Sequence, residues 1–397
     1  MINRWLLPEG IDEVLPPQAA RLEQLRRRLL DLYASWGYEL IMPPFIEYLE
    51  SLLTGTGNDL DLQTFKLTDQ LTGRMMGVRA DMTPQAARID AHRLGRATPV
   101  RLCYLGTVLR TRPDGFAGSR SPLQVGAELF GHAGVESDLE IMALMLDTLA
   151  ATGVSGVHVD LGHVGIYRGL LRDAKLDTNT ASLLFEALQR KSRADIDALL
   201  AQADISKAAR DQLAALSDLN GGVECLDAAA VALRDAAPDV RAALDDLRRI
   251  AAGLQARQPA LPLHFDLAEL RGYHYHTGPV FAAFVPGHGQ AAAQGGRYDD
   301  IGRVFGQARP ATGFSADLKT LMSLAATEAP AARAAIFAPC AADPALQAQV
   351  RALRAAGECV ICALPGQAGG ACEMGCEREL RQVGAQWTVL AVTTDKS

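Results

Sequence analysis

The chain is short of several things, and each shortage narrows what it can be. There is no surplus of positive charge: 39 Lys and Arg face 46 Asp and Glu, for a net charge of −7. That balance argues against broad nucleic-acid binding, which needs a basic surface to neutralise phosphates. No apolar run approaches the length that spans a bilayer, and the opening MINRWLLPEGIDEV does not read as a signal peptide. The expected compartment is therefore the cytoplasm. Seven cysteines at irregular spacing in a long chain suit reduced thiols rather than a disulfide framework. Internal repeats and long low-complexity tracts are missing as well. What remains is an ordinary globular composition, 49% hydrophobic and 21% charged, with 397 residues suggesting two or three domains.

Four of the cysteines, Cys359, Cys362, Cys372 and Cys376, pair as C-x-x-C and C-x-x-x-C, a spacing that zinc can use. Cys359 and Cys362 however sit in ECVICALP, which reads as a buried strand. Residues three apart on a strand point to opposite faces, which suits chelation poorly. His274 and His276 resemble a metal pair, but no third ligand is evident beside them. No metal or cofactor is expected.

From the N-terminus, a Pro-rich lead is followed by an amphipathic helix from about Pro17 to Trp36, with Leu22, Leu25, Leu29, Leu32 and Tyr33 on one face. YELIMPPFIEY reads as a strand interrupted by Pro43-Pro44, hence an edge or interface strand. FKLTDQLTGRMMGVR reads as a hairpin turning through Asp69 to Gly73. It leads to Arg79-Ala80-Asp81-Met82-Thr83-Pro84, where Thr83 is placed to cap a helix and Pro84 to sit in its first turn. Two more strands, VRLCYLGTVLR and LQVGAELFG, flank the Gly/Pro/Ser-rich loop TRPDGFAGSRSP. A helix from Ser137 and the strand VHVDLGHV follow.

Residues 167–257 are rich in Ala, Leu, Asp and Arg with helical periodicity, and read as a helical insertion. Beyond an Ala/Pro-rich joint, AAIFAPC, DPALQAQVRALRAAG and ECVICALP alternate as strand, helix and strand. A Gly-rich loop, a short helix and the strand QWTVLAV complete a small α/β domain over 331–397.

Leu263 to Asp300 carries the densest chemistry. It reads as a three-stranded meander, with VFAAFV supplying the buried face. A sheet does not need the added Glu269, Arg271, Tyr273, His274, Tyr275, His276, Arg297, Tyr298 and Asp299. That excess of hydrogen-bonding groups suits the floor of a small polar-ligand pocket. Arg297 reads as a brace for its turn, with Gly295-Gly296 there for backbone geometry. His132, His158, His163 and His264 are scattered and read as packing or hydrogen-bonding residues, while His288 lies in a Gly-rich turn and is expected to be exposed. Elsewhere Gln124 and Glu128 alternate with Val125 and Ala127 and so share a face. Asp81, Thr83, Gln124 and Glu128 suit an ammonium or imidazole, and an arginine suits a carboxylate.

These segments resemble the catalytic core of class II aminoacyl-tRNA synthetases, histidyl-tRNA synthetase in particular, over about residues 8–326. Pro43 matches the dimer-forming first motif, LGTVLRTRPDGFAGSRSPLQVGAELFG the second motif and its loop, and ATGFSADLKTL the third. LRGYHYHTG and GGRYDD match the two signatures of the histidine enzymes. The implied fold is α+β: a mainly antiparallel sheet flanked by helices, with the helical insertion and the small C-terminal domain added to a core of 1–326. The match also implies a histidine site made of Asp81, Thr83, Arg110, Gln124, Glu128, Arg271, Tyr275, His276 and Tyr298. Asp81 stands where the synthetase has glutamate, and His276 where it has tyrosine.

The nucleotide side departs from the pattern. Arg110 matches the arginine that contacts the α-phosphate, and Arg120 neighbours the position of the loop arginine. But Arg112 replaces a glutamate, Gly118 replaces the loop arginine and Thr320 replaces the third-motif arginine. Adenylation needs positive charge placed in advance on the polyphosphate, so loss of ligase activity is expected. A synthetase core edited in this way, with a shortened tail, resembles the regulatory subunits of ATP phosphoribosyltransferase. That resemblance implies no catalytic residues here, a short-form catalytic partner in a hetero-octamer, a self-dimer through the first motif, and histidine as effector of the first step of histidine biosynthesis. The alternative is an active or repurposed histidine-activating enzyme; tRNA binding is not expected.

Overall fold

The computed structural model describes residues 5–53, 58–113, 118–269, 272–273, 275–306, 308–325 and 334–392. The chain divides into two compact units, Met1–Thr327 and Glu328–Ser397.

In the first unit the strands are β1 (Glu39–Leu40), β2 (Ile46–Tyr48), β3 (Phe65–Thr68), β4 (Met75–Val78), β5 (Val100–Thr107) and β6 (Leu123–Phe130). They continue with β7 (His158–His163), β8 (Asn220–Gly221), β9 (Leu263–Asp266), β10 (Pro279–Phe284), β11 (Ala293–Arg297) and β12 (Ala311–Asp317). Nine of them form one sheet in the order β1-β5-β6-β12-β11-β10-β7-β9-β8, and β2-β4-β3 form a small second sheet. The large sheet is antiparallel except where β1 meets β5 and β7 meets β9.

Two expectations change here. YELIMPPFIEY does not make one interrupted strand; the prolines split it into β1 and β2, which join different sheets. The span from Leu263 to Asp300 is not a meander, because β7 lies between β9 and β10. Local alternation identifies strands but not their neighbours, and β7 arrives from far earlier in the chain.

One face of the large sheet is covered by Gln18–Ser35 and Val135–Thr152. The first presents Leu22, Leu25, Leu29 and Tyr33, the helical spacing read from sequence. Tyr33 meets Phe314 of β12 edge-on at 6.4 Å. The second helix buries Ile141, Met142, Leu144, Met145 and Leu149, and ends at Gly153 in the left-handed region (φ 86°). Each such side chain contributes about 1.5–3 kcal/mol of burial. The inserted helices, between Val164 and Arg257, share this core: Leu184, Leu200, Leu213, Leu244 and Leu247 belong to the same cluster. On the opposite face a separate cluster joins Met82, Tyr104, Phe130, Tyr298 and Ile301.

The second unit holds β13 (Ile336–Ala338), β14 (Val360–Cys362), β15 (Arg378–Val383) and β16 (Gln386–Ala391) in the order β14-β13-β15-β16. The helix Pro344–Ala355 links the parallel pair β13 and β14. The short helix expected before QWTVLAV is instead β15, which forms an antiparallel hairpin with β16. Alternating Glu379/Leu380/Arg381 satisfies a half-buried strand, with Leu380 buried. Cys359, Cys362 and Cys372 are exposed and Cys376 is buried.

Candidate functional site

The site is assembled by strand register. Pairing places Leu102, Glu128, Gly313, Gly296, Val280 and Gly162 in one row across β5, β6, β12, β11, β10 and β7. The next row on the same face is Tyr104, Gly126, Ser315, Gln294, Ala282 and Asp160. Glycines in these rows make a trough rather than a turn. A Cβ on Gly313 would sit 1.6 Å from Glu128 Oε2, and one on Gly126 would sit 2.6 Å from the Tyr104 hydroxyl. A Cβ on Gly296 would meet His276 Cδ2 at 2.7 Å, and one on Gly272 (φ +64°) would meet His276 Nδ1 at 2.5 Å. Gly295 and Gly296 are thus required for space, and neither has a positive φ.

The trough holds a cavity of about 190 Å³, lined among others by Asp81, Thr83, Glu128, Asp160, Glu269, Tyr275, His276 and Tyr298. A space of this size, with so many hydrogen-bonding groups around it, suits a small polar ligand. Glu128 is buried and accepts hydrogen bonds from the hydroxyls of Tyr104 (2.8 Å) and Tyr298. Tyr104 in turn shares a hydrogen with Thr83 Oγ1 at 2.9 Å. Gln124 ties the other wall together: its amide donates to Asp81 Oδ1 (2.7 Å) and accepts from Met82 N–H (2.9 Å). Thr83 does not cap its helix. The Thr83 N–H goes to Asp81 Oδ1 (3.0 Å), and its hydroxyl is turned to Tyr104.

Burial pushes the Glu128 carboxyl up to about 8, and the tyrosine and threonine hydroxyls oppose that rise. Burial, with Glu128 nearby, pushes Tyr104, Tyr275 and Tyr298 well above the usual phenol range, so they stay donors. Tyr275 stacks on Tyr298 with ring centroids 5.0 Å apart, and its hydroxyl is buried without a partner among the described residues. Four carboxylates and no described lysine or arginine line the cavity, an arrangement that attracts a cationic group.

The expected set is thus largely, but not wholly, brought together. Asp81, Thr83, Glu128, Tyr275, His276 and Tyr298 line the cavity, and Gln124 braces it. Arg110 does not line it; it lines a neighbouring cleft of about 450 Å³ together with Gly118, Ser119, Gln124, Asp317 and Thr320. Arg271 and His274 lie outside the described residues. Arg297 is buried and does more than brace its turn. It pairs with Asp138 (2.8 Å) and donates to the carbonyls of His132 and Gly134, fixing the start of Val135–Thr152. His163 caps a helix by accepting from Gly165 N–H, and burial holds it down to about 4. His288 is half-buried, with Nε2 enclosed, rather than exposed. The residues that sequence reading missed are Tyr104 and Asp160; Glu269, singled out with the polar excess of its segment, lines the wall. Tyr104 had a signal, since it lies one row from Glu128 on a strand of the same face.

In the neighbouring cleft Arg110 Nε faces the Ala80 carbonyl (3.5 Å), and in a further cleft that shares Gly118, Ser119, Asp317 and Thr320 with it, Arg120 and Lys319 are engaged with backbone. Arg120 donates from Nη1 to the Glu9 carbonyl (3.0 Å) and from Nε to the Arg110 carbonyl (3.1 Å). Lys319 Nζ is bound to the Ser121 carbonyl (2.8 Å), and Arg112 is exposed. Thr320 Oγ1 donates to Asp317 Oδ2 (2.9 Å), so a carboxylate and its cap occupy the third-motif position. Among the described residues, no group of three or more His, Cys, Asp or Glu is placed to hold a metal ion. No described helix is long and apolar enough to cross a membrane.

Comparison with known proteins adds the following. A family model for histidyl-tRNA synthetase matches residues 10–321, and one for the ATP phosphoribosyltransferase subunit HisZ C-terminal domain matches residues 333–390. The chain is 62% identical to the ATP phosphoribosyltransferase regulatory subunit of Thioalkalivibrio sulfidiphilus over 388 residues, covering 98% of each. It is also 62% identical to that of Alkalilimnicola ehrlichii over 381 residues, covering 96% of this chain and 95% of the relative. A solved structure from Bacillus halodurans, described as an ATP phosphoribosyltransferase regulatory subunit/histidyl-tRNA synthetase, aligns with a TM-score of 0.81 at 27% identity, covering 92% of this chain and 94% of the other. Histidyl-tRNA synthetase from a Nostoc species aligns with a TM-score of 0.76 at 19% identity, covering 98% and 97%, a likeness of fold alone.

Proposed function

Because this chain belongs to the family of ATP phosphoribosyltransferase regulatory subunits, we propose that its cavity binds free histidine as the effector of a catalytic partner. The chain itself is the non-catalytic subunit required for the first step of histidine biosynthesis, the condensation of ATP with phosphoribosyl pyrophosphate. The observation that carries the effector reading is the contrast between a small pocket lined by acidic and phenolic groups and adjoining clefts whose cations are turned to backbone carbonyls.

In this reading Asp81, Thr83 and Gln124 hold the ammonium, and Glu128, Tyr275, His276 and Tyr298 surround the imidazole. Arg271 takes the carboxylate by its place in the family motif, and Arg110 closes the carboxylate end from the neighbouring cleft. Histidine acts by binding one arrangement of the complex better than another, for which a coupling of about 1–3 kcal/mol suffices. The regulatory chains pair through the exposed apolar segment that includes Leu40, Met42, Phe45 and Ile46, a two-fold contact. They join short-form catalytic subunits in a hetero-octamer that works in the cytoplasm.

The test is to co-purify the chain with the short catalytic subunit and assay the complex with and without histidine. Activity that requires this chain and falls with histidine is the expected result. Inhibition that persists after Glu128→Ala would overturn the pocket assignment. Histidine-dependent ATP–pyrophosphate exchange by the chain alone would overturn the non-catalytic reading.

A further inference from the structure

The described sheets end in six edge strands, and five of them are short. β1 and β8 have two residues each, β2 and β14 three, and β3 four. β2 also carries Glu47 and β3 carries Lys66. Short length and charge are the usual devices that stop a sheet from pairing with another chain. β16 has neither. It runs for six residues, Gln386–Ala391, with no charged residue and no proline. Among the described residues its outer side pairs with nothing, since β15 takes only the inner side.

The strand is rigidly presented. Trp387 and Val389 pack partly into the cluster of Leu346, Val350 and Leu380, and Trp387 Nε1 donates to Asp343 Oδ2 at 2.6 Å. Gln386, Thr388 and Leu390 lie on the other face and are exposed.

We infer that β16 is a strand-pairing site for a second copy of this chain. The sequence QWTVL is self-complementary about Thr388. In an antiparallel two-fold pair Thr388 meets its own symmetry mate, Trp387 faces Val389, and Gln386 faces Leu390. Aromatic against β-branched is a favoured cross-strand pair, and no like charges are brought together. The partly exposed edge of the Trp387/Val389 layer is thereby continued into the neighbour's. This face is independent of the Leu40–Ile46 segment. With the Leu40–Ile46 dimer proposed above, pairing of β16 edges is expected to join two dimers into a tetramer.

The experiment is light scattering on the full chain after gel filtration, comparing wild type with Thr388→Lys and Leu390→Lys. Both variants should run at half the wild-type mass with unchanged circular dichroism. Leu364→Lys, which adds the same charge on an exposed loop of the same unit, should keep the wild-type mass. In wild type, hydrogen exchange across 386–391 should speed up on dilution, a readout that needs no variant. Unchanged mass in both lysine variants, or exchange in β16 independent of concentration, overturns the proposal. So does a variant that keeps its own mass but loses the catalytic subunit, since the edge would then belong to that partner.

Discussion

Two spaces lie side by side on one face of the large sheet, and they share Gln294 and Ser315 in their walls. In the smaller, polar groups serve one another inward. Tyr104 and Tyr298 point at Glu128, Gln124 holds Asp81, and glycines clear the floor. In and beside the larger, polar groups are turned to the protein's own backbone and side chains: Arg110 Nε faces the Ala80 carbonyl, Thr320 donates to Asp317, and Arg120 and Lys319 of the cleft beyond bind carbonyls. The same strands thus carry one site preorganised for a ligand and one whose charges have been put to structural use. The two spaces meet along the row of Gln294 and Ser315, with Glu128 and Gly313 on the pocket side and Gln124 and Asp317 on the cleft side.

The largest expected effect that would break this contrast comes from the floor. Gly313→Ala should abolish histidine binding in calorimetry and lower stability by about 1–3 kcal/mol, because the new methyl overlaps the Glu128 carboxylate. Retained affinity would mean that Glu128 does not lie across that glycine.

Glu128→Gln should weaken histidine by about 2–4 kcal/mol, the cost of losing a buried charged partner. It also tests the protonation state. The folded Glu128 carboxyl is raised from 4.5 to about 8. Its contribution to the stability of the empty protein is therefore full below 4.5 and lost as pH climbs through 8. The substitution should flatten the fall in melting temperature across that window. An imidazole N–H donated to Glu128 favours the ionised carboxyl, so histidine uptake at neutral pH should release protons. Calorimetry in two buffers of different ionisation enthalpy should detect that release in wild type and find it reduced in the variant.

A smaller effect is expected from the cleft. Gly118→Arg with Thr320→Arg should leave histidine affinity within about threefold, or ~0.7 kcal/mol. A tenfold change would mean that the two spaces act as one site. Smallest of all, Thr320→Ala removes a single hydrogen bond to Asp317 and should cost about 0.5–1 kcal/mol in denaturant melts, with histidine binding untouched.

Much of the fold could be read from the chain because its signals were local. The periodicity of Leu22, Leu25 and Leu29 identified the first helix, and the alternation of Gln124 and Glu128 identified a strand with one face in the site. The failures were of long-range pairing. Nothing near Leu263 announces that β7 will lie between it and β10, so a meander was the natural reading. ERELRQV has enough helix formers to mislead, and only the hairpin with β16 settles it as a strand. In the site, motif spacing found Asp81, Glu128 and Tyr298. Asp160 escaped because its membership depends on register across five strands, whereas Tyr104 needed only the pairing of β5 with β6. The outward turn of Arg120 depends on Glu9 and Gly10, more than a hundred residues away.

The glycine trough also limits how this pocket can change. Its base is main chain, which substitution cannot reshape without closing the cavity. New ligand preferences must therefore arise at the rim, through positions such as Asp81 and His276, and a mutational library aimed at retuning selectivity should yield variants there and empty wells at the floor.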